Sequence, residues 1–274
     1  RELGVSISSG QLSNLITNQA EQWHQEKETL LKVAIKKSDY IQVDDTGARH
    51  KGKNGYCTQV GNDDFTYFKT SSNKSKSNFL SILCGDSEGY CINEYAVDYL
   101  RSKKTFSNWD TDFAKYCLSD ELYFDDKNEL LNFLRSQPFN ETSYKIITEA
   151  ATIGYLREIV FNPSLIILSD EAKQFDLSCN AACWVHAERK LTQLLPNNEA
   201  QQKAKKQKLT QFWKLYDTLK KELMAENISS KRKYQLKKRF DKLCCPTKDY
   251  LKLNKELEHL ALMKSKLLKS LENF

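Results

Sequence analysis

The spacing of apolar residues divides the chain into helical and extended stretches. Residues 11–37 carry apolar side chains at roughly helical intervals, which predicts a long amphipathic helix. Residues 40–45, 55–61 and 64–70 read as short strands, with turns predicted at residues 53–55 and 61–64. A helical pattern returns at residues 75–83. The first third therefore predicts three antiparallel strands followed by a helix.

The middle of the chain has a less regular pattern. Residues 84–141 hold 12 Asp and Glu against 6 Lys and Arg and show no strong strand signal, so we expect a mostly helical, acidic insertion. Residues 143–161 have a helical period that stops at Asn162-Pro163. Residues 165–168 form a continuous apolar run, typical of a strand buried on both faces. Residues 181–185 are another short apolar run.

The chain beyond Pro196 predicts three amphipathic helices that form a helical subdomain. Each has one apolar stripe with lysines between the stripes. The stripes are Leu209, Phe212, Trp213, Tyr216, Leu219 and Leu223; then Tyr234, Leu236 and Phe240; then Leu253, Leu257, Leu260, Met263, Leu267 and Leu271.

Composition narrows the class of protein. A chain of 274 residues can bury a good core in one or two domains. It has no apolar run of about 18 residues, so we expect no membrane span, and no signal peptide is visible. Its eight cysteines are irregularly spaced, which favours free thiols in a reducing cytoplasm over a disulfide scaffold.

Charge is unevenly distributed along the chain. Residues 189–274 hold 22 Lys and Arg against 9 Asp and Glu, whereas the whole chain has a net charge of +6. Residues 1–188 are therefore acidic on balance. A basic final third beside an acidic body indicates a segment that faces nucleic acid, or a set of solvated lysine-rich helices.

Two aspartates end predicted strands that lie far apart in sequence. Asp44 follows the first strand and Asp170 follows the apolar run at residues 165–168. Mg²⁺ prefers oxygen ligands, often one or two carboxylates together with substrate phosphates, and a pair of such ions supports phosphoryl transfer. A metal site is one interpretation of this pattern. A turn aspartate after each strand is the other.

Cys179, Cys183 and His186 raise the question of zinc. Their spacing offers three ligands, but no fourth is evident, because His50 and His259 are distant in sequence. A Cys and a His buried behind an active-site strand is the better interpretation. A Cys–His nucleophile pair has no matching group to orient the histidine.

Four blocks of sequence resemble the bacterial insertion-sequence transposases of family sixty-six. Residues 43–57 (VDDTGARHKGKNGYC) and 72–80 (SNKSKSNFL) resemble the first catalytic block of that family. Residues 162–175 (NPSLIILSDEAKQF) resemble the second, and residues 183–189 (CWVHAER) match its Cys-x-x-His plus Arg signature. The blocks occur in the family's order, and the resemblance runs over nearly the whole chain.

The resemblance implies an α/β fold: an RNase H-like mixed sheet flanked by helices, with a helical insertion domain in the C-terminal third. It implies a DDE transposase that cleaves transposon ends and transfers the strand into target DNA, using two Mg²⁺ or Mn²⁺ ions. Asp44 matches the first acid, Asp170 the second, and Asp45 is a neighbour. His186, with Cys183, is expected near the scissile phosphate. The expected DNA contacts are Arg49, Lys51, Lys53, Arg189 and Lys190.

The third acid of the family is a Glu in an Asn-Asn-x-x-Glu block, expected beyond residue 274. On that basis this chain alone is expected to be inactive. The implied partners are double-stranded DNA and further copies of the chain, in the bacterial cytoplasm at the nucleoid. The alternatives are a DNA-binding remnant that does not cut and another RNase H-like nuclease.

The predicted segments follow from the patterns and the resemblance together. Residues 1–38 form a helical lead-in, with the end of a helix-turn-helix as an alternative. Residues 39–190 form the catalytic core, interrupted by the acidic insertion at about 84–142, and residues 191–274 form the basic helical insertion.

Overall fold

A computed structural model of the protein describes residues 6–18, 20–85, 88–103, 122–137, 139–177, 179–225 and 228–271. The chain divides into two compact units. The first comprises residues 1–39 and 45–165, and the second comprises residues 40–44 and 166–274. These two units are defined by contacts within the chain and do not coincide with the three segments predicted from sequence. The division into those three segments stays a prediction.

A five-stranded mixed sheet has the order β3-β2-β1-β4-β5. Its strands are β1 (Tyr40–His50), β2 (Lys53–Gly61), β3 (Thr66–Ser71), β4 (Ile166–Ser169) and β5 (Asn180–Ala182). The pair β2 and β3 is antiparallel, whereas β4 runs parallel to both β1 and β5. The predicted mixed sheet flanked by helices is therefore confirmed at this level.

The first unit contains the hairpin of β2 and β3 together with a group of helices. These are α1 (Ser9–Asn18), α2 (Ala20–Lys37), α3 (Lys76–Cys84), α4 (Glu94–Arg101), α5 (Lys127–Arg135) and α6 (Glu141–Tyr155), which continues into a π-helical turn at Leu156–Val160. Buried apolar side chains of α2, α3, α4 and α6 form its core, including Leu31, Ile35, Leu83, Leu100 and Ile147.

The structure of this unit differs from the sequence patterns in three places. Residues 53–55 lie inside β2, and the turn falls at Lys51 and Gly52, which have φ of 47° and 78°. The acidic stretch, expected to be mostly helical, contains helices and also a two-stranded antiparallel pair, Tyr90–Ile92 with Leu122–Phe124, for which the sequence shows no strong signal. Much of that stretch, residues 104–121, lies outside the described residues. The apolar side chains of α1 are all exposed.

The second unit packs helices on β4 and β5. It contains a 3-10 turn at Lys173–Phe175, then α7 (Trp184–Thr192), α8 (Glu199–Leu223), α9 (Ser230–Cys244), α10 (Leu251–Leu262), α11 (Lys264–Leu267) and a 3-10 turn at Lys269–Leu271. The predicted stripes meet in one core around Phe212, Phe240 and Leu257. Tyr234, which the apolar spacing assigns to a stripe, is 61% exposed.

Two further features of the described residues bear on the predictions from sequence. None of the described helices has the length and apolar character needed to cross a membrane. Each cysteine within the described ranges is a free thiol, including the adjacent pair Cys244 and Cys245.

Candidate functional site

Asp44 and Asp170 follow the paired ends of two neighbouring parallel strands. The register of β1 and β4 pairs Tyr40 with Ile166 and ends with Val43 beside Ser169. Asp44 and Asp170 are the next residue on each strand, and both belong to the second unit. Because neighbouring strands lie about 4.8 Å apart, the backbones of the two aspartates lie side by side where the β1–β4 pairing stops. Asp170 follows the end of β4, whereas β1 continues to His50, so the predicted end of the first strand at residue 45 is wrong.

Burial shows which face of the sheet carries the two carboxylates. Ile41 and Val43 on β1 are buried, as are Ile167 and Ser169 on β4. Side chains alternate between faces along a strand, so Asp44 and Asp170 share the other, more open face. Asp44 is exposed and Asp170 is half-buried.

Asp45 has the opposite orientation. It lies two residues after Val43 and therefore on the same face of β1 as Val43. Its Oδ1 accepts a hydrogen bond of 2.5 Å from the Thr58 hydroxyl on β2. Asp45 therefore faces away from Asp44 and has a structural partner of its own. This geometry suits the role of a neighbour rather than that of a principal ligand.

A short loop holds Asp170 in place. Asp170 Oδ1 accepts the backbone N–H of Ala172 at 2.9 Å, which is an Asx turn. The buried Asn180 fixes the other end of the loop: its Oδ1 accepts from the Leu177 N–H at 2.7 Å and its Nδ2 donates to the Phe175 carbonyl at 2.5 Å. Sequence analysis missed Asn180, because its role depends on the return of the chain to β4.

An ionic cluster adjoins Asp170. The Glu171 carboxylate pairs with Lys190 on α7 and lies 2.8 Å from His259 Nε2 on α10. Lys190 Nζ is also 2.9 Å from that same nitrogen. Nε2 either donates to Glu171 or accepts from Lys190, so the two arrangements differ by one proton position. The cluster ties two helices to the residue after Asp170.

The predicted DNA contacts fall in different parts of the structure. Arg49 near the end of β1, Lys51 in the turn and Lys53 at the start of β2 are all exposed, in the first unit. Arg189 is exposed on α7 in the second unit. Lys190, beside it, is already engaged by Glu171.

Cys183 and His186 lie at the start of α7. Cys183 is the residue before the helix, and His186 Nδ1 is buried without a hydrogen-bond partner among the described residues. Cys179 is buried nearby in sequence. Within the described ranges, no three His, Cys, Asp or Glu side chains are grouped closely enough to hold a metal. The arrangement gives a zinc site no support.

The donor set at Asp44 and Asp170 fits a magnesium-type ion in part. Two adjacent carboxylates supply hard oxygen ligands, and such ions complete their coordination with water and substrate phosphate. A third carboxylate is not grouped with them in the part of the chain that the structure describes.

Comparison with known proteins gives one informative relative. No family model matches the chain, and no solved structure matches it. A protein of Sinorhizobium fredii (strain NBRC 101917 / NGR234), described as uncharacterized protein y4jO, is 32% identical over 252 residues. The match covers 89% of this chain and 75% of the relative. The chain belongs to the y4jO family.

Membership of the y4jO family brings no activity with it, since the description of that relative names none. The match extends over most of both chains, so the family shares both units rather than a single motif. Function has to be argued from the residues themselves.

Proposed function

We propose that the chain is the catalytic core of a DNA transposase, which cleaves transposon ends and transfers the strand with the help of Mg²⁺ or Mn²⁺. The observation that carries the proposal is the position of Asp44 and Asp170, each one residue after the end of the pairing between β1 and β4. Two carboxylates far apart in sequence each follow the last residue of the β1–β4 pairing, Val43 or Ser169, and strand alternation puts both on the same face. A turn aspartate after each strand would not require this coincidence of register and face.

Further support comes from the sequence blocks in which these aspartates lie. Both belong to stretches that resemble the transposase family, and the mixed sheet flanked by helices is compatible with the RNase H-like fold which that resemblance implies. The basic residues 189–274 suit a protein that has to bind a polyanion.

The proposed roles of the residues follow from their positions. Asp44 and Asp170 would hold the metal, with Asp170 oriented by the Ala172 N–H and by the loop that Asn180 closes. A bound divalent ion would activate a nucleophile and stabilise a leaving oxygen of the phosphodiester. Exposed Arg189 would neutralise DNA phosphates, while Glu171 would keep Lys190 on the protein.

A second candidate is a protein that binds DNA without cutting it. The observation in its favour is that no group of three metal-ligating side chains occurs within the described residues. Such a protein would show salt-sensitive DNA binding and no metal-dependent cleavage.

Cleavage and joining of DNA test the proposal. The full product of the gene is incubated with Mn²⁺ and a plasmid that carries the DNA flanking the gene. We expect nicked ends and joined strands, and we expect Asp44→Asn and Asp170→Asn each to lower the rate by more than about 100-fold, since even the residues behind metal ligands cost about 10- to 100-fold.

The matched control is Asp64→Asn, an exposed aspartate in the turn between β2 and β3. It should cut at the parent's rate. Nicks without joined strands would favour a nuclease. Cutting by both Asp44→Asn and Asp170→Asn at the parent's rate would refute the proposal.

A further inference from the structure

A groove of about 780 Å³ runs along one face of α8 in the second unit. Pro196, Leu209 and Trp213 provide apolar surface. The charged residues of the lining are three lysines and one aspartate, Lys205, Lys206, Lys214 and Asp217, so the groove is positive on balance. The candidate metal site does not include these residues. The groove therefore combines features that the proposed chemistry does not use.

The lysines of the groove differ in what they can contact. Lys205 Nζ donates to the backbone carbonyls of Thr192 and Leu194, at 2.5 and 2.7 Å, so it fastens α8 to the preceding loop. Lys206 and Lys214 extend from the helix into the groove. They are eight residues apart on the helix, or about 12 Å at 1.5 Å per residue, which is far enough to contact different phosphates of one strand.

Trp213 is held in a fixed orientation within the groove. Its ring is nearly perpendicular to that of Phe212, at 81° and 5.6 Å, and to that of Tyr216, at 88° and 5.5 Å. The indole is only partly buried. A fixed aromatic ring between two cations is the combination with which proteins bind single-stranded nucleic acid, because bases stack on the ring and phosphates contact the cations.

We propose that this groove binds an unpaired DNA strand, with a base stacked on Trp213 and phosphates on Lys206 and Lys214. The identification of that strand as a transposon end rests on the proposed function. A blunt duplex satisfies the lysines but has no unpaired base that can turn toward Trp213, so we expect the groove to prefer DNA with a single-stranded extension.

The experiment measures binding by fluorescence anisotropy in EDTA, where no cleavage takes place. One probe is a blunt DNA duplex, and the other is the same duplex with a short single-stranded extension that contains 2-aminopurine. We expect the parent to prefer the extended DNA and to quench the 2-aminopurine. Trp213→Leu should weaken binding of extended DNA by about 5- to 100-fold and leave the blunt duplex unchanged.

Lys206→Gln and Lys214→Gln together should make single-strand binding less sensitive to salt. The slope of log binding constant against log salt concentration should become shallower by about 1.4, or about 0.7 for each lost phosphate contact. The control removes equal charge from the same helix outside the groove, with Lys220→Gln and Lys221→Gln, both exposed. It should leave the preference for extended DNA intact. Far-ultraviolet circular dichroism checks that the Trp213→Leu protein is folded. If it is not folded, the quenching of 2-aminopurine by the parent and the binding of the lysine variants test the proposal instead.

Equal losses for blunt and extended DNA, or unquenched 2-aminopurine in the parent complex, would overturn the proposal. The two proposals are distinguished by their measurements, because binding is measured in EDTA and cutting requires a divalent ion. If the parent binds extended DNA selectively but never cuts, the transposase proposal is refuted and the proposal of a single-strand groove stands.

Discussion

Asp44 and Asp170 stand at equivalent positions one residue beyond the last paired residues of β1 and β4, Val43 and Ser169. The strands are parallel, so both aspartates lie at the same end of the β1–β4 pairing, although β1 itself continues to His50. Alternation along the strands puts both on the same face, and Asp45 faces the other way toward Thr58. The pairing of the two backbones thus brings these carboxylates to neighbouring positions, and the proposed cation site rests on that arrangement.

The loop behind Asp170 depends on Asn180. Replacement of this buried residue by Ala removes the partners of the Leu177 N–H and the Phe175 carbonyl, so we expect a loss of about 1–3 kcal/mol in the free energy of unfolding. Urea denaturation measures it. Asn128→Ala, an exposed change on α5, should cost less than about 0.5 kcal/mol. Equal stability of Asn180→Ala and the parent would contradict this view of the loop.

Helix α6 approaches the strand at Tyr90–Ile92 too closely for any side chain at Gly154. A Cβ there would overlap the Cys91 carbonyl oxygen and lie 2.7 Å from Asn93 Oδ1. Gly154→Ala should therefore lower the free energy of unfolding by about 1–3 kcal/mol, measured with urea. A Cβ added at Gly47 would meet no atom within 4 Å, so Gly47→Ala serves as the control. Equal stabilities for the two variants would argue against the close contact.

Lys208 is a buried lysine that joins α8 to the end of α9. Its ammonium donates to the carbonyls of Leu243 and Cys245, at 2.7 Å each, and burial lowers its pKa. Lys208→Met leaves both carbonyls without that donor, and we expect a loss of about 1–3 kcal/mol by chemical denaturation. Lys203→Met, exposed on the same helix, should change stability by less than about 0.5 kcal/mol. A Lys208→Met protein as stable as the parent would show the two bonds to be dispensable.

Glu28 should make the first unit sensitive to acid. Burial raises the pKa of its carboxyl, but hydrogen bonds from Lys69 and Tyr67, at 2.7 and 2.8 Å, outweigh burial, and the pKa falls below its ordinary value of 4.5. The stabilisation is therefore present above pH 4.5 and is lost as the pH falls through the lower folded value.

The test compares the parent with Glu28→Gln by chemical denaturation from about pH 6 to about pH 3. The parent should lose more stability over this range than Glu28→Gln, which has no carboxylate to protonate. Parallel stability curves for the two proteins would show that Glu28 does not contribute to the acid response.

The sequence predicts correctly the helices and strands whose apolar residues recur with a clear period. It fails where contacts between residues far apart in sequence determine the local structure. The runs at residues 40–45 and 165–168 became strands, and the stripes around Phe212 and Leu257 became the core of the second unit. The turn at Lys51 and Gly52 was misplaced because Lys53-Asn54-Gly55 carries the stronger local turn signal. The strand at Tyr90–Ile92 has three residues, too few for a period to show.

The candidate site was predictable only as separate residues. Strand-end position identified Asp44 and Asp170, but their shared face depends on the pairing of β1 with β4, which no local pattern encodes. His259 could not be assigned to Glu171, since 88 residues separate them and both side chains are ordinary surface groups in sequence.

Binding of Mn²⁺ measured by electron paramagnetic resonance tests the pairing of Asp44 and Asp170 most directly. The parent, Asp44→Asn, Asp170→Asn and the double variant form a double-mutant cycle. If both carboxylates hold one ion, each single variant loses most of the affinity and the double variant loses little more. Independent, additive losses, or affinities equal to the parent's, would contradict a shared site.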